Sequence, residues 1–130
     1  MLTVKIYLDK SDISGIGVFA NQFIKKGQEV CRYNPRFTQI IEIAEIETWP
    51  KTVQENFYRY AYHGKGDFRI KHALFYNIDE SKYLNHSDTP NIIYVPQLEI
   101  YVAKDEINSG TELTCDYNDF EERGDACFNF

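Results

Sequence analysis

Lys82-Tyr83-Leu84-Asn85-His86-Ser87-Asp88-Thr89-Pro90-Asn91 decides how the rest of this chain is read. These ten residues hold two side-chain amides, an imidazole, two aliphatic hydroxyls and a carboxylate. So polar a run makes a poor core strand, and its Asp-Thr-Pro-Asn end is turn chemistry. An ordered loop whose polar groups bind something is expected here.

On either side of it the chain reads as strand. Residues 68 to 79 carry Phe68, Ile70, Ala73-Leu74-Phe75-Tyr76 and Ile78, while Ile92-Ile93-Tyr94-Val95 and Leu98-Glu99-Ile100-Tyr101-Val102 suggest a hairpin turning at Pro96-Gln97. Near the start, Leu2, Val4, Ile6 and Leu8 alternate as a half-buried strand would. Ser14-Gly15-Ile16-Gly17-Val18-Phe19-Ala20 follows a polar break, and its two glycines suit either a plain turn or a close backbone approach to a ligand. An internal repeat is present as well. Val18 to Val30 aligns without gaps on Tyr101 to Leu113, with Ala, Ile, Gly and Glu coinciding at 20/103, 24/107, 27/110 and 29/112. Each copy reads as strand, tight turn at the glycine, strand, and two such hairpins facing one another make a mostly β body with pseudo-twofold symmetry.

A helical insert of about residues 37 to 66 interrupts this pattern. Ile40, Ile43 and Ala44 recur at helical spacing, Thr48 is placed to cap a helix with Pro50 in its first turn, and Val53, Phe57, Tyr60 and Ala61 share one face. His63-Gly64-Lys65-Gly66-Asp67 ends it.

Fourteen basic against twenty acidic residues give a net charge of −6, which argues against a nucleic-acid binder and suits a basic partner or simple solubility. With 43% hydrophobic and 15% aromatic residues the chain is expected to fold as one domain over residues 1–130, and it shows neither an apolar run of membrane-spanning length nor a signal-peptide core. Cys31, Cys115 and Cys127 are too few and too scattered for a disulfide framework or a zinc module, so a reducing intracellular setting is expected. The acidic residues near the C-terminus are either a solvated tail or a surface for a cationic substrate.

Three motifs together resemble the SET-domain protein-lysine methyltransferases over about residues 13 to 117. Ser14 to Ala20 looks like the family's N-terminal G-x-G strand, Tyr83 to Asn91 is similar to its N-H-S-x-x-P-N signature, and Glu112-Leu113-Thr114-Cys115-Asp116-Tyr117 is similar to its E-L-T-x-D-Y signature. The resemblance implies a mostly β fold with a small helical insert: the β-clip fold, whose C-terminal strand passes the 85–91 loop in a knot-like crossing. It implies S-adenosyl-L-methionine as cosubstrate, cradled by Ser14, Gly15, Ile16 and Gly17 and bound by Asn85 and His86. Tyr117 is then the catalytic tyrosine, adjoining both cofactor and substrate channel. The partner it implies is a protein with an accessible lysine, in a basic segment given the charge; neither nucleic acid nor membrane is expected. The compartment would be the cytoplasm of a bacterium, or the nucleus if the chain is eukaryotic or acts in a host.

Two departures carry consequences. Cys115 stands where relatives usually have Tyr or Phe, a position that governs how many methyl groups fit, so the small thiol leans towards multiple methylation. Asp88 replaces a cysteine that in many relatives joins a zinc site, and only Cys127 remains in the tail, so no zinc is expected. Phe128 or Phe130 would instead close over the adenine or the channel from a lid of about residues 118–130, or simply anchor the core. Tyr76 is a further candidate for the channel wall, or an ordinary strand tyrosine. His63 and His72 are expected in surface loops. A catalytically inactive SET-like module that binds protein or cofactor is the alternative function.

Overall fold

The computed structural model describes residues 1–121. In chain order its elements are β1 (Ile6–Lys10), β2 (Ile16–Ala20), β3 (Glu29–Arg32), β4 (Thr38–Glu42), α1 (Ile43–Ile46), α2 (Lys51–Tyr58), β5 (Ala73–Asn77), β6 (Asn85–His86), β7 (Ile92–Val95), β8 (Ile100–Ala103) and β9 (Thr114–Cys115), with short 3-10 turns between some of them. The strands form small sheets: β1-β2, β3-β8-β7 and β4-β5, all antiparallel, and the parallel pair β6-β9.

The internal repeat is physical. Gly27 N–H donates to Ala103 O at 2.8 Å and Gly110 N–H to Ala20 O at 2.7 Å, while Phe19 bridges Glu112 as Val102 pairs with Glu29. These contacts exchange under the alignment of residues 18–30 on 101–113. The turns correspond too, closed by Gln28 N–H to Lys25 O at 3.0 Å and Thr111 N–H to Asn108 O at 3.2 Å. Each turn holds a glycine at positive φ, +79° at Gly27 and +91° at Gly110, where a side chain would strain the backbone. One expectation is corrected: the copies do not fold back as separate hairpins but pair with each other. Burial accounts for this, because Val18, Ala20, Ile24 and Val30 of one copy and Ala103, Ile107 and Leu113 of the other enter a single core only when the copies interlock.

At the N-terminus Leu2, Val4 and Ile6 pack on that core as their alternation predicts. The strand itself runs later, however, from Ile6 to Lys10, and Leu8 is exposed. The 92–102 hairpin forms as expected, with a turn over Pro96 to Glu99, the last at φ +53°.

Within residues 37–66 the helical expectation holds only in part. Thr38–Glu42 is strand β4, paired along its length with β5, so Ile40 belongs to a ribbon and not to a helix. Pro50 occupies the N-cap of α2, and Thr48 donates its Oγ1–H to Glu45 O at 2.6 Å instead of capping it. Phe57 and Ala61 face inward and Val53 outward. With Ile46 and Leu74 they build a second small core against the β4-β5 ribbon. No helix among the described residues is long and apolar enough to cross a membrane.

Candidate functional site

The 82–91 stretch is a loop only in part. Asn85 and His86 form β6 and pair in parallel with Thr114 and Cys115 of β9, and Ser87 N–H donates to Cys115 O at 3.0 Å. Two side chains tie the C-terminal segment down. The Asn91 amide fits the backbone of 112–114, its Nδ2 donating to Glu112 O at 2.7 Å and its Oδ1 accepting from Thr114 N–H at 2.8 Å. His86 Nδ1 accepts Tyr117 N–H at 3.1 Å, leaving the ring proton on Nε2 to meet Asp88 Oδ1 at 2.9 Å. Asp88, at the position read as a lost zinc ligand, thus orients His86.

Asn85 is buried, and its Nδ2 lies among acceptors: Glu112 Oε2 at 2.9 Å, Ser14 O at 3.0 Å, Ser11 Oγ at 3.1 Å and, more weakly, Ile16 O at 3.4 Å. Glu112 also accepts from Ser11 Oγ, whose oxygen in turn receives the N–H groups of Ile13 and Ser14. The glycines therefore differ in purpose. Gly15 has φ +49° and open space where a Cβ would stand, whereas a Cβ on Gly17 would overlap the Glu112 carboxylate.

Ser14, Gly15, Ile16, Asn85, His86, Cys115 and Tyr117 all line one cavity of about 740 Å³. Much of its remaining wall is aromatic, including Tyr60, Tyr62, Phe75, Tyr83 and Tyr101. Tyr117 donates its hydroxyl proton to Leu84 O at 2.6 Å, and its ring lies 5.4 Å from that of His86 and 5.3 Å from that of Phe120. Burial, with nearby acidic groups, raises its pKa well above the usual tyrosine value, so the phenol stays protonated. Burial likewise raises the Cys115 thiol, which is neutral and a poor nucleophile.

Gly17 and Tyr76 are not brought to the cavity. The Tyr76 ring stacks on Phe57 at 4.8 Å in the second core, because β5 alternates and Phe75 takes the cavity side. Phe128, Phe130 and Cys127 lie outside the described residues. Among the described residues no group of three or more His, Cys, Asp or Glu side chains is arranged to hold a metal ion.

Ser11, Asn91, Glu112 and the His63–Glu121 pair escaped sequence reasoning as organising residues. Ser11 read as part of a polar break, and Glu112 as the first residue of the E-L-T-x-D-Y signature and the repeat's counterpart of Glu29, with no role of its own. His63, expected in a surface loop, gives both its N–H (2.8 Å) and Nδ1 (2.9 Å) to Oε2 of Glu121, a fully buried carboxylate. No local pattern announces such a contact. Asn91 had a signal: it closes the motif that the stretch opened.

A family model described as SET domain matches residues 15–118. The chain belongs to the SET-domain family. No curated protein sequence matches it. Among solved structures, this SET domain is similar to a Plasmodium falciparum protein assigned as a histone methyltransferase, with 26% identity and a TM-score of 0.57 over 89% of this chain and 95% of that one. It also shares its fold with the Neurospora SET domain protein DIM-5, a histone lysine methyltransferase, at 22% identity and a TM-score of 0.57 over 89% of this chain and 53% of that one.

Proposed function

We propose that this SET domain transfers a methyl group from S-adenosyl-L-methionine to the side-chain amine of a lysine in a protein substrate. The observation that carries this is the convergence of Asn85 and Tyr117 on one aromatic-walled cavity, with the Tyr117 hydroxyl bonded to the carbonyl of Leu84, the residue before Asn85. The Plasmodium falciparum relative, nearly all of whose length is covered, supports it.

The residues present fit the cosubstrate. Asn85 Oδ1 accepts no hydrogen bond among the described residues, so an amide carbonyl is available to an ammonium group at the cavity wall, next to the open space at Gly15. When bound, S-adenosyl-L-methionine supplies a methyl group on a positively charged sulfur. The chain's own contribution is placement and environment. A free lysine has a pKa of about 10.4 and attacks only as the neutral amine; an apolar wall disfavours its charged form, so no dedicated base is required. Tyr117 keeps its proton and its orientation through Leu84 O, which fixes a ring and a hydroxyl oxygen at the cavity wall. Cys115 adds little bulk there and leaves room for a nitrogen that already carries methyl groups. The net charge of −6 favours a lysine in a basic segment.

The test is incubation of the purified chain with methyl-labelled cosubstrate and a mixed protein pool, with automethylation scored alongside. Label on lysine that is lost in Tyr117→Phe, with cosubstrate binding retained, is the expected result. Binding without transfer to any lysine would instead identify a binding module.

A further inference from the structure

An asparagine amide is nearly symmetric in shape, so sterics alone do not decide whether Asn85 turns its oxygen or its NH2 group towards the cavity. The difference matters: a carbonyl accepts from a cation, whereas an NH2 group repels one. We infer that Glu112 is a positioning residue that sets this choice, and so selects a ligand carrying an ammonium group.

Glu112 acts in two ways. Its Oε2 stands 2.9 Å from Asn85 Nδ2, and turning the amide over would set a carbonyl oxygen against a carboxylate. Glu112 also takes the hydroxyl proton of Ser11, through Oε1 at 2.8 Å or Oε2 at 3.0 Å. Ser11 Oγ is thereby left as an acceptor at 3.1 Å from the same Nδ2. The carbonyls of Ser14 and Ile16 add to the preference, but they are backbone and offer no choice of sign. Only Glu112 brings charge, and it reaches this place because Gly17 has no side chain to exclude it. Its negative potential, passed through the Asn85 dipole, adds to the attraction for a cation at Oδ1.

The inference rests on the proposed cosubstrate site, and two probes separate their fates: S-adenosyl-L-methionine, which has an ammonium group, and 5′-methylthioadenosine, which lacks the amino-acid part. Affinities of both are measured by calorimetry for the wild-type chain, Glu112→Ala and Glu112→Gln, with folding checked by thermal melting. Glu112→Ala is expected to weaken S-adenosyl-L-methionine by about tenfold or more while methylthioadenosine changes less than about threefold. Glu112→Gln, which keeps the volume and holds the test open if the alanine variant does not fold, should fall between, because an amide oxygen in the place of Oε2 still accepts from Asn85 and Ser11 but brings no charge. A wild-type chain that binds neither probe overturns the cosubstrate site, and the inference with it. Wild-type binding of S-adenosyl-L-methionine with equal loss of both probes in the variants, or loss of neither, overturns the inference alone.

Discussion

Ile24 and Ile107 donate their N–H groups to each other's carbonyl oxygens, both at 2.9 Å, and stand on the pseudo-twofold axis that relates residues 18–30 to 101–113. The backbone bonds of Gly27 to Ala103 and Ala103 to Gln28 are duplicated about this pair by those of Gly110 to Ala20 and Ala20 to Thr111, so equivalent substitutions at the two turn glycines should have equivalent effects. Gly27→Ala and Gly110→Ala each place a side chain at positive φ with no neighbour closer than the Tyr7 hydroxyl, 3.8 Å from a Cβ at 110. Each should cost about 1–2 kcal/mol from backbone strain alone. Matching denaturation midpoints of the two variants would support the symmetry, and a much larger loss at one site would break it.

Asn91→Ala should destabilise by roughly 2–4 kcal/mol, because it strands Glu112 O and Thr114 N–H together in a part-buried setting. Asn91→Asp should restore little, since a carboxylate cannot donate to Glu112 O. Urea unfolding of the three chains measures this directly.

Gly17→Ala should be destabilising because its Cβ would overlap the Glu112 carboxylate and approach Ser11. The losses from Gly17→Ala and Glu112→Ala should then fail to add, since removing the carboxylate makes room for the methyl. A double-mutant cycle on thermal stability with additive losses would show that the two residues are independent.

Alkaline pH should weaken the fold. Burial raises the pKa values of Cys115, Tyr62, Tyr101 and Tyr117 above their ordinary values of 9.0 for the thiol and 10.0 for the phenols. These groups are acids held neutral in the folded chain, so below pH 9 both states are protonated and the stabilisation is fully present. As pH rises through 9 and 10 the unfolded chain loses protons that the folded chain keeps, and stability falls with each step until the folded pKa values are reached. Guanidinium midpoints from pH 8 to 11 should therefore decline, with no rise on the alkaline side.

The frame was legible because its signals are short-range and periodic. Ala20, Ile24, Gly27 and their partners at 103, 107 and 110 sit at fixed spacing, and the turn glycines need a conformation that few residues adopt. Strand β4 was not legible: Ile40, Ile43 and Ala44 recur at helical spacing, yet Ile40 lies in the strand and the other two in α1, and pairing with β5 sets the boundary. At the site, Asn85, His86 and Tyr117 stood out by residue type and motif. Ser11 did not, because a hydroxyl that serves a carboxylate 101 residues away reads, in sequence, as part of a polar break; Glu112 headed its motif, but nothing local told that it reaches an amide 27 residues away.

The parallel pairing of β6 with β9 joins residues that leave the ribosome nearly thirty positions apart, and only two residues on each side take part. Until the 112–117 segment docks, Asn85 has no Glu112 and Leu84 no Tyr117. The interlocked repeat ends at Leu113, one residue before β9 begins, so the stretch of chain that closes the core is also the one that delivers the site.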